Sequence, residues 1–300
     1  MTSSTPFTKT NDNLWVHAEA PDEHEIKLLC SQYGLTERFV RDALDQDEIP
    51  RVETRGVYTY VITRFAYKAT ENSIKTAPIL FAINHQRLVT VSLQKLPSLS
   101  EVLPEDASDG DGGDPVHLML LILLKIDADY DWFIHESSKQ IRHLLERIGS
   151  RQVGTRSFLR FVRIEDDMND FISSLIPTNV TLQHLVNDSK QPAFATHHDL
   201  VNTVMLNNKQ SIQTCESNLK SLASIRRTYT LINSSRLDRT IKILTMVSVF
   251  ISIPTMFFSM YGMNIGLPFA QNPRMFTALM VVCLVIVLTA YAVGRKKRIF

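Results

Sequence analysis

Cysteine is scarce in this chain. Cys30, Cys215 and Cys283 are the only three in 300 residues, they lie far apart, and no Cys-x-x-Cys spacing occurs. A disulfide framework and a thiolate metal site are both excluded. There is also no Gly-x4-Gly-Lys-Ser/Thr loop to cradle a nucleotide, and the nine histidines, His197-His198 among them, form no His-Glu-x-x-His. Asp127, Asp129 and Asp131 alternate without the glycine and terminal glutamate of a calcium loop, and read as a polar helix end. Nothing here points to an enzyme. Met1 to Asn13 is polar and rich in Ser and Thr, without the basic start and apolar core of a signal peptide, so the large domain is expected to stay on the side where it is made.

Long apolar runs are absent from the first 240 residues and concentrated in the last sixty. Ile243–Met260 and Met275–Val293 each approach the roughly 20 apolar residues that span a hydrocarbon core. Arg236, Arg239 and Lys242 precede the first run, Arg295, Lys296, Lys297 and Arg298 follow the second, and the loop between them carries only Arg274. Basic flanks of this kind mark the cytoplasmic side. The expectation is a multi-pass protein of the cell membrane with both termini in the cytosol. The terminal basic run reads as an orientation signal and lipid-headgroup contact, not as a nucleic-acid site.

The soluble part changes period along its length. A strand is predicted at Leu14-Trp15-Val16, a helix over 21–33 closed by Gly34, and a helix from Thr36 closed by Pro50. Strands follow at 51–53, 57–67 and 79–83, with 85–93 as hairpin partner to the last. Residues 98–115, with four Asp, two Glu and three Gly, read as an exposed connection. Helix resumes at Val116 and runs with breaks to Leu185; the apolar stretch 116–126 is only about half a membrane span and belongs to a soluble core. The fold class is α+β, of αβα type, with an α/β part over 1–115 and a helical part over 116–192.

From Ala193 to Ile253 there is no glycine and no proline, and apolar residues recur by threes and fours from Leu200 to Ile232. One long stalk helix over 193–260, running into the first span, is preferred to shorter helices broken at Asn207-Asn208 and Asn233-Ser234-Ser235. Within the span Thr245, Ser248, Ser252, Thr255 and Ser259 share one face, which Leu244, Ile241 and Asp238 extend toward the cytosol. Two readings stand: a face that lines water, and a small-residue face for close helix packing. As a conduit, one such helix per chain encloses nothing, so cyclic oligomerisation is required. Pro254 inside the span is a candidate kink. The second span, 275–293, has no polar face and reads as the lipid-facing outer helix. Tyr261-Gly262-Met263-Asn264 opens the loop 261–274 between the spans, and the tail occupies 294–300. A ring of Asn264 amides suits a hydrated Mg²⁺, and Gly262 allows a tight turn; a simple turn is the commoner use of such a tripeptide.

Lys242-Ile243-Leu244-Thr245, Ile253-Pro254-Thr255, Tyr261-Gly262-Met263-Asn264 and Pro268, together with the layout of nearly the whole chain, resemble the CorA divalent-cation channels. The resemblance implies a homopentameric funnel that passes Mg²⁺, often with Co²⁺ or Ni²⁺, into the cytosol. It implies that Tyr261, Gly262, Met263 and Asn264 form the filter, with Asn264 selecting the hydrated ion. Thr255, Ser252, Ser248, Leu244, Ile241 and Asp238 would line the path, and cytosolic Mg²⁺ would hold it shut. Candidate regulatory ligands are Asp42, Asp45, Asp47 and Glu48 at a helix end, and Asp199 at the start of the stalk. Influx would be passive, because a divalent ion gains about 4.6 kcal/mol per 100 mV of inside-negative potential. Two departures stand out. The loop Ile265 to Asn272 has no acidic residue, and Ile241 replaces a common Met. The alternatives are a Zn²⁺ transporter of the same superfamily, which Met263 disfavours, and a non-conducting membrane-anchored sensor or scaffold, which the hydroxyl face disfavours.

Overall fold

The computed structural model describes residues 8–9, 14–70, 73–96, 114–149, 155–187, 194, 196–263 and 274–296. The connection at 98–113, the tail beyond Lys296 and most of the loop between the two apolar runs lie outside them. The chain divides into two compact units, 1–224 and 225–300.

The first unit is built on a mixed six-stranded sheet of β1 (Thr8–Lys9), β2 (Trp15–Glu19), β3 (Arg51–Arg55), β4 (Tyr58–Thr70), β5 (Ser73–Ile83) and β6 (Leu88–Ser92). The spatial order is β1-β2-β6-β5-β4-β3, with β2 and β6 parallel and every other pair antiparallel. Gly56, at φ 62°, makes the β3–β4 turn, where a left-handed backbone favours glycine. Asn84 closes the β5–β6 turn by accepting the amides of Gln86 and Arg87 at 2.8 and 2.9 Å.

Alternation sends odd and even strand residues to opposite faces. Tyr58, Tyr60, Ile62, Leu80, Ala82, Val89 and Val91 form one core with Ile26 and Leu29 of α1 (Glu23–Tyr33) and with Phe39 and Val40 of α2 (Glu37–Asp42). Phe39 stacks on Tyr60 at 4.1 Å. An Asp22–Glu25 capping box starts α1, and left-handed Gly34 ends it. The other face takes α3 (Pro115–Gly149) and α4 (Thr155–Asn187). Tyr130 of α3 meets Phe171 of α4 edge-on at 5.2 Å and donates to the Arg64 carbonyl of β4 at 3.3 Å. Two helical layers around one sheet give the αβα arrangement.

The helix expected over 193–260 is α5 (His198–Tyr261), 64 residues without interruption, and α6 (Arg274–Lys296) follows. The cut between the units falls within α5. Neither Asn207-Asn208 nor Asn233-Ser234-Ser235 breaks it, because tertiary partners override weak helix propensity at the first pair: Asn208 is buried and Asn207 bonds to Asp127.

Two expectations are corrected. Strand β5 begins at Ser73, six residues before the predicted 79, since the ladder with β4 carries Ser73, Lys75 and even Pro78 into the sheet. Asp127, Asp129 and Asp131 do not end a helix but lie in the interior of α3, which the surrounding apolar residues hold together.

Asp167 of α4 is nearly buried, and burial pushes its carboxyl up to about 6 while the Ile74 amide bonds to it. The folded value exceeds the unfolded one, so the ionised group costs stability above pH 6, and that cost fades as pH falls toward 4. Asp167→Asn keeps the acceptor without the charge. Its thermal unfolding midpoint is expected to exceed wild type at pH 8, by about 1 kcal/mol after solvent screening, with the gain shrinking at pH 5. A gain equal at both values contradicts the assignment.

Candidate functional site

The second unit holds the C-terminal half of α5 and α6. At 100° per residue, Asp238, Ile241, Leu244, Thr245, Ser248, Ser252, Thr255 and Ser259 fall within an arc of about 120° on α5. All eight are exposed within the chain, Ile241 by 51% and Leu244 by 66%. The half-covered residues Met246, Phe250, Ile253, Pro254 and Phe257 occupy the opposite side. On α6, Leu279 and Cys283 are buried four residues apart, and the Phe258 and Phe276 rings lie 6.4 Å apart. The two helices therefore pack along the side away from the hydroxyls, and that face stays uncovered among the described residues.

The hydroxyls are not idle. Thr245 donates to the Ile241 carbonyl at 2.8 Å, Ser248 to Leu244 at 3.0 Å, Ser252 to Val249 at 3.0 Å and Thr255 to Ile251 at 2.7 Å. Each proton is committed to the helix backbone, which leaves the oxygen lone pairs as acceptors. A face of acceptors bordered by the bulky Ile241 and Leu244 can pass the water shell of a cation and can also be closed by drying.

The helix ends at Tyr261, whose side chain is outside the description, and Asn264 lies outside the described residues. The Gly262 amide donates to the Phe258 and Ser259 carbonyls at 3.0 and 3.1 Å. Gly262 is not left-handed, and a Cβ there would meet those carbonyl oxygens at 3.5 Å, an ordinary contact. The expected tight turn is therefore not what requires glycine within one chain.

Two of the acidic residues expected as regulatory ligands, Asp42 and Glu48, are held by arginines. Asp42 pairs with Arg51 at 2.6 Å and with Arg38 at 3.7 Å; Glu48 also pairs with Arg51; and Arg64 donates to the Glu48 carbonyl at 2.7 Å. Asp45 accepts the Asp47 amide at 3.1 Å. Asp199 is exposed in the first turn of α5, where a carboxylate favours the helix N-terminus. Among the described residues no three His, Cys, Asp or Glu side chains come together to hold a metal. Among the described residues α5 is the one helix long and apolar enough to cross a membrane, none of its qualifying stretch being buried, and α6 contributes the shorter apolar stretch Phe276–Thr289.

A contact series that sequence reading missed joins α3 to the first part of α5. The rings of His117 and His197 lie 5.4 Å apart, Asn207 bonds to Asp127, Ser211 donates to Asp131 at 3.0 Å, and Asn218 donates to Ser138 at 2.8 Å. Each pair is separated by eighty residues, so the two helices run parallel in one register. Asp114 caps α3 through the Val116 amide at 2.9 Å and also contacts His197 at 2.5 Å, which ties the two helix starts together.

Comparison with known proteins agrees with this layout. Residues 10–296 match the family described as CorA-like Mg²⁺ transporter protein. The cobalt/magnesium transport protein CorA of Methanocaldococcus jannaschii is 23% identical over 298 residues, covering 94% of this chain and 90% of that one. The complete structure of the CorA magnesium transporter from the same organism superposes with a TM-score of 0.83 at 19% identity, over 96% of this chain and 92% of that one. The full-length CmaX protein gives 0.73 at 14% identity, over 91% and 86%.

Gly262→Ala is expected to leave the helical content and unfolding midpoint of the purified protein within about 0.5 kcal/mol of wild type. A larger loss in circular-dichroism melts would reveal a steric demand inside the single chain.

Proposed function

The chain belongs to the CorA-like Mg²⁺ transporter family, and from that premise we propose that it is a passive, gated channel admitting Mg²⁺, with Co²⁺ and Ni²⁺ as further cargo. The observation that carries the reading is the exposed face of α5 from Asp238 to Ser259, set opposite the side covered by α6. Copies of this chain around an axis would complete it, and five is the number the family resemblance gives. Both spans then cross the cell membrane, with the termini and the 1–224 unit in the cytosol.

The roles follow from the chemistry. Asn264 amides ring the outer end and hold the ion through its waters, which suits a cation that dehydrates reluctantly. The acceptor lone pairs of Thr255, Ser252, Ser248 and Thr245 replace bulk solvent along the path. Leu244 and Ile241 form the apolar ring that closes it by dewetting. The membrane potential supplies about 4.6 kcal/mol per 100 mV for a divalent ion, enough without nucleotide. Cytosolic Mg²⁺ shifts the gate toward closure by binding the packed state better than the open one. Exposed Asp199 can take part directly. Asp42 and Glu48 would first have to exchange their arginines.

Purified protein in liposomes is expected to take up Mg²⁺ in proportion to an imposed inside-negative potential. Asn264→Ala should cut that flux by roughly tenfold or more, the scale on which loss of a polar ligand acts. Measuring Co²⁺ and Zn²⁺ in parallel ranks the cargo. Flux indifferent to potential, or absent from the wild type, overturns the proposal.

A further inference from the structure

The seam between α3 and α5 contains a polar cluster that nothing in the conduction pathway uses. Asp127 is 6% exposed in the interior of α3, and its Oδ2 has no hydrogen-bond partner among the described residues. Asn207 bonds to its carboxyl, and the charged group acting on it is Asp131, of like sign and one turn further along the same helix. Asp131 is exposed at the edge of the seam and takes the Ser211 hydroxyl at 3.0 Å. Asn208 is 1% exposed, lies on the buried face of α5 that Val204, Ser211 and Cys215 share, and has neither amide atom partnered. The sequence reading took the Asp127–Asp131 run for a helix end; the structure places it against α5.

Leaving such groups unpaired is expensive. A buried polar group without a partner costs about 1–3 kcal/mol, and a buried carboxylate more. Here an Asn amide and a carboxylate oxygen are left together, beside a second carboxylate. Four oxygen-bearing groups line this stretch of the seam, the carboxylates of Asp127 and Asp131, the Asn208 amide and the Ser211 hydroxyl, while burial keeps the neighbouring Cys215 thiol protonated and unsuited to a metal. Oxygen-only sets select hard cations, and two carboxylates with neutral oxygens are the number a Mg²⁺ that keeps several waters requires. The exposed Asp131 provides the access path, and the buried Asp127 and Asn208 provide the floor.

From this juxtaposition we infer that Asp127, Asp131, Asn208 and Ser211 form a divalent-cation site inside one protomer, which clamps α3 to the first part of α5. Asn207 positions Asp127 from the α5 side without ligating. The site is made by residues 127–211 of the 1–224 unit, so it does not depend on ion passage through the other unit. Its position matters because α5 is one continuous helix that carries both the clamp and the hydroxyl face.

Tyr130 and Trp132 flank Asp131 and make the site readable by sensitised Tb³⁺ luminescence in the full-length protein in detergent. Wild type is expected to give saturable luminescence on excitation of these rings, displaced by Mg²⁺. Asp127→Asn and Asn208→Leu should each weaken the Mg²⁺ competition by about tenfold or more, and Glu216→Gln, at an exposed position of α5, should leave it unchanged. Asp131→Asn, at the exposed edge where folding is not at risk, must show the same loss. Unchanged luminescence in Asp127→Asn and Asp131→Asn overturns the site. So does a thermal midpoint that rises in Asp127→Asn by the same amount with and without Mg²⁺, since the carboxyl would then be holding a proton in place of a metal. Because no flux is measured, failure of the channel reading would leave these results standing, and failure of this site would leave the flux experiment untouched.

Discussion

A helix that carries hydroxyls and a carboxylate along one side of an otherwise apolar surface cannot be satisfied by lipid on all sides. In the second half of α5 the problem is partly solved internally, because four hydroxyls return their protons to the backbone. The lone pairs left over still need water, and α6 is on the wrong side to supply cover. Pro254 fits the same division. It lies on the half-covered side, and so does Phe250, whose carbonyl loses its usual donor four residues on. The backbone behind the hydroxyls is thereby left regular, with the Ile251 carbonyl accepting from Thr255. The defect faces packing and the regular ladder faces the hydroxyl side.

The first half of the same helix is governed by a different constraint, its register with α3. Four contacts at a constant separation of eighty residues act as teeth spread over about six helical turns. Val201, Val204, Cys215 and Leu222 provide the buried surface between them. Apolar packing alone tolerates small slips, whereas directional polar contacts do not. A displacement of one turn would break all of them together, so the pairing behaves as a two-position element more than as a sliding one. That is the kind of element through which a bound ion can act at a distance.

Much of this was legible in the sequence, for identifiable reasons. Strand β4 and helix α1 could be read because Tyr58, Tyr60 and Ile62 alternate and because Asp22 and Gly34 mark helix ends; α2 starts after Thr36 as expected but stops at Asp42, well before Pro50. The shared face of the α5 hydroxyls was legible because spacing by threes and fours is a property of one helix alone. The start of β5 was not, since Lys75 and Pro78 join the sheet only through the partner strand. The role of Asp127 was not legible either: its partner stands eighty residues away, and the pattern Asp-x-Asp-x-Asp resembles a helix end when read locally. The arginines that occupy Asp42 and Glu48 were invisible for the same reason. Asn264 lies outside the described residues, so the part proposed for it rests on its place after the exposed hydroxyl face of α5.

The contrast between the two acidic groups bears on where a cation can regulate this protein. Asp42 and Glu48 share the Arg51 guanidinium, and charge-assisted pairs of this kind are among the stronger hydrogen bonds in proteins. A divalent ion arriving there must displace an arginine that Glu53 also holds, at 2.9 Å. At Asp127 it displaces nothing of opposite charge, and it relieves the repulsion that Asp131 imposes. Binding free energy spent on expelling a guanidinium is unavailable for moving a helix, whereas an ion that relieves the repulsion between the two α3 carboxylates and takes the neutral Asn208 and Ser211 oxygens of α5 would favour the state in which both helices are in register. Since one of those helices is α5 itself, the seam needs no relay to reach the residues that follow it.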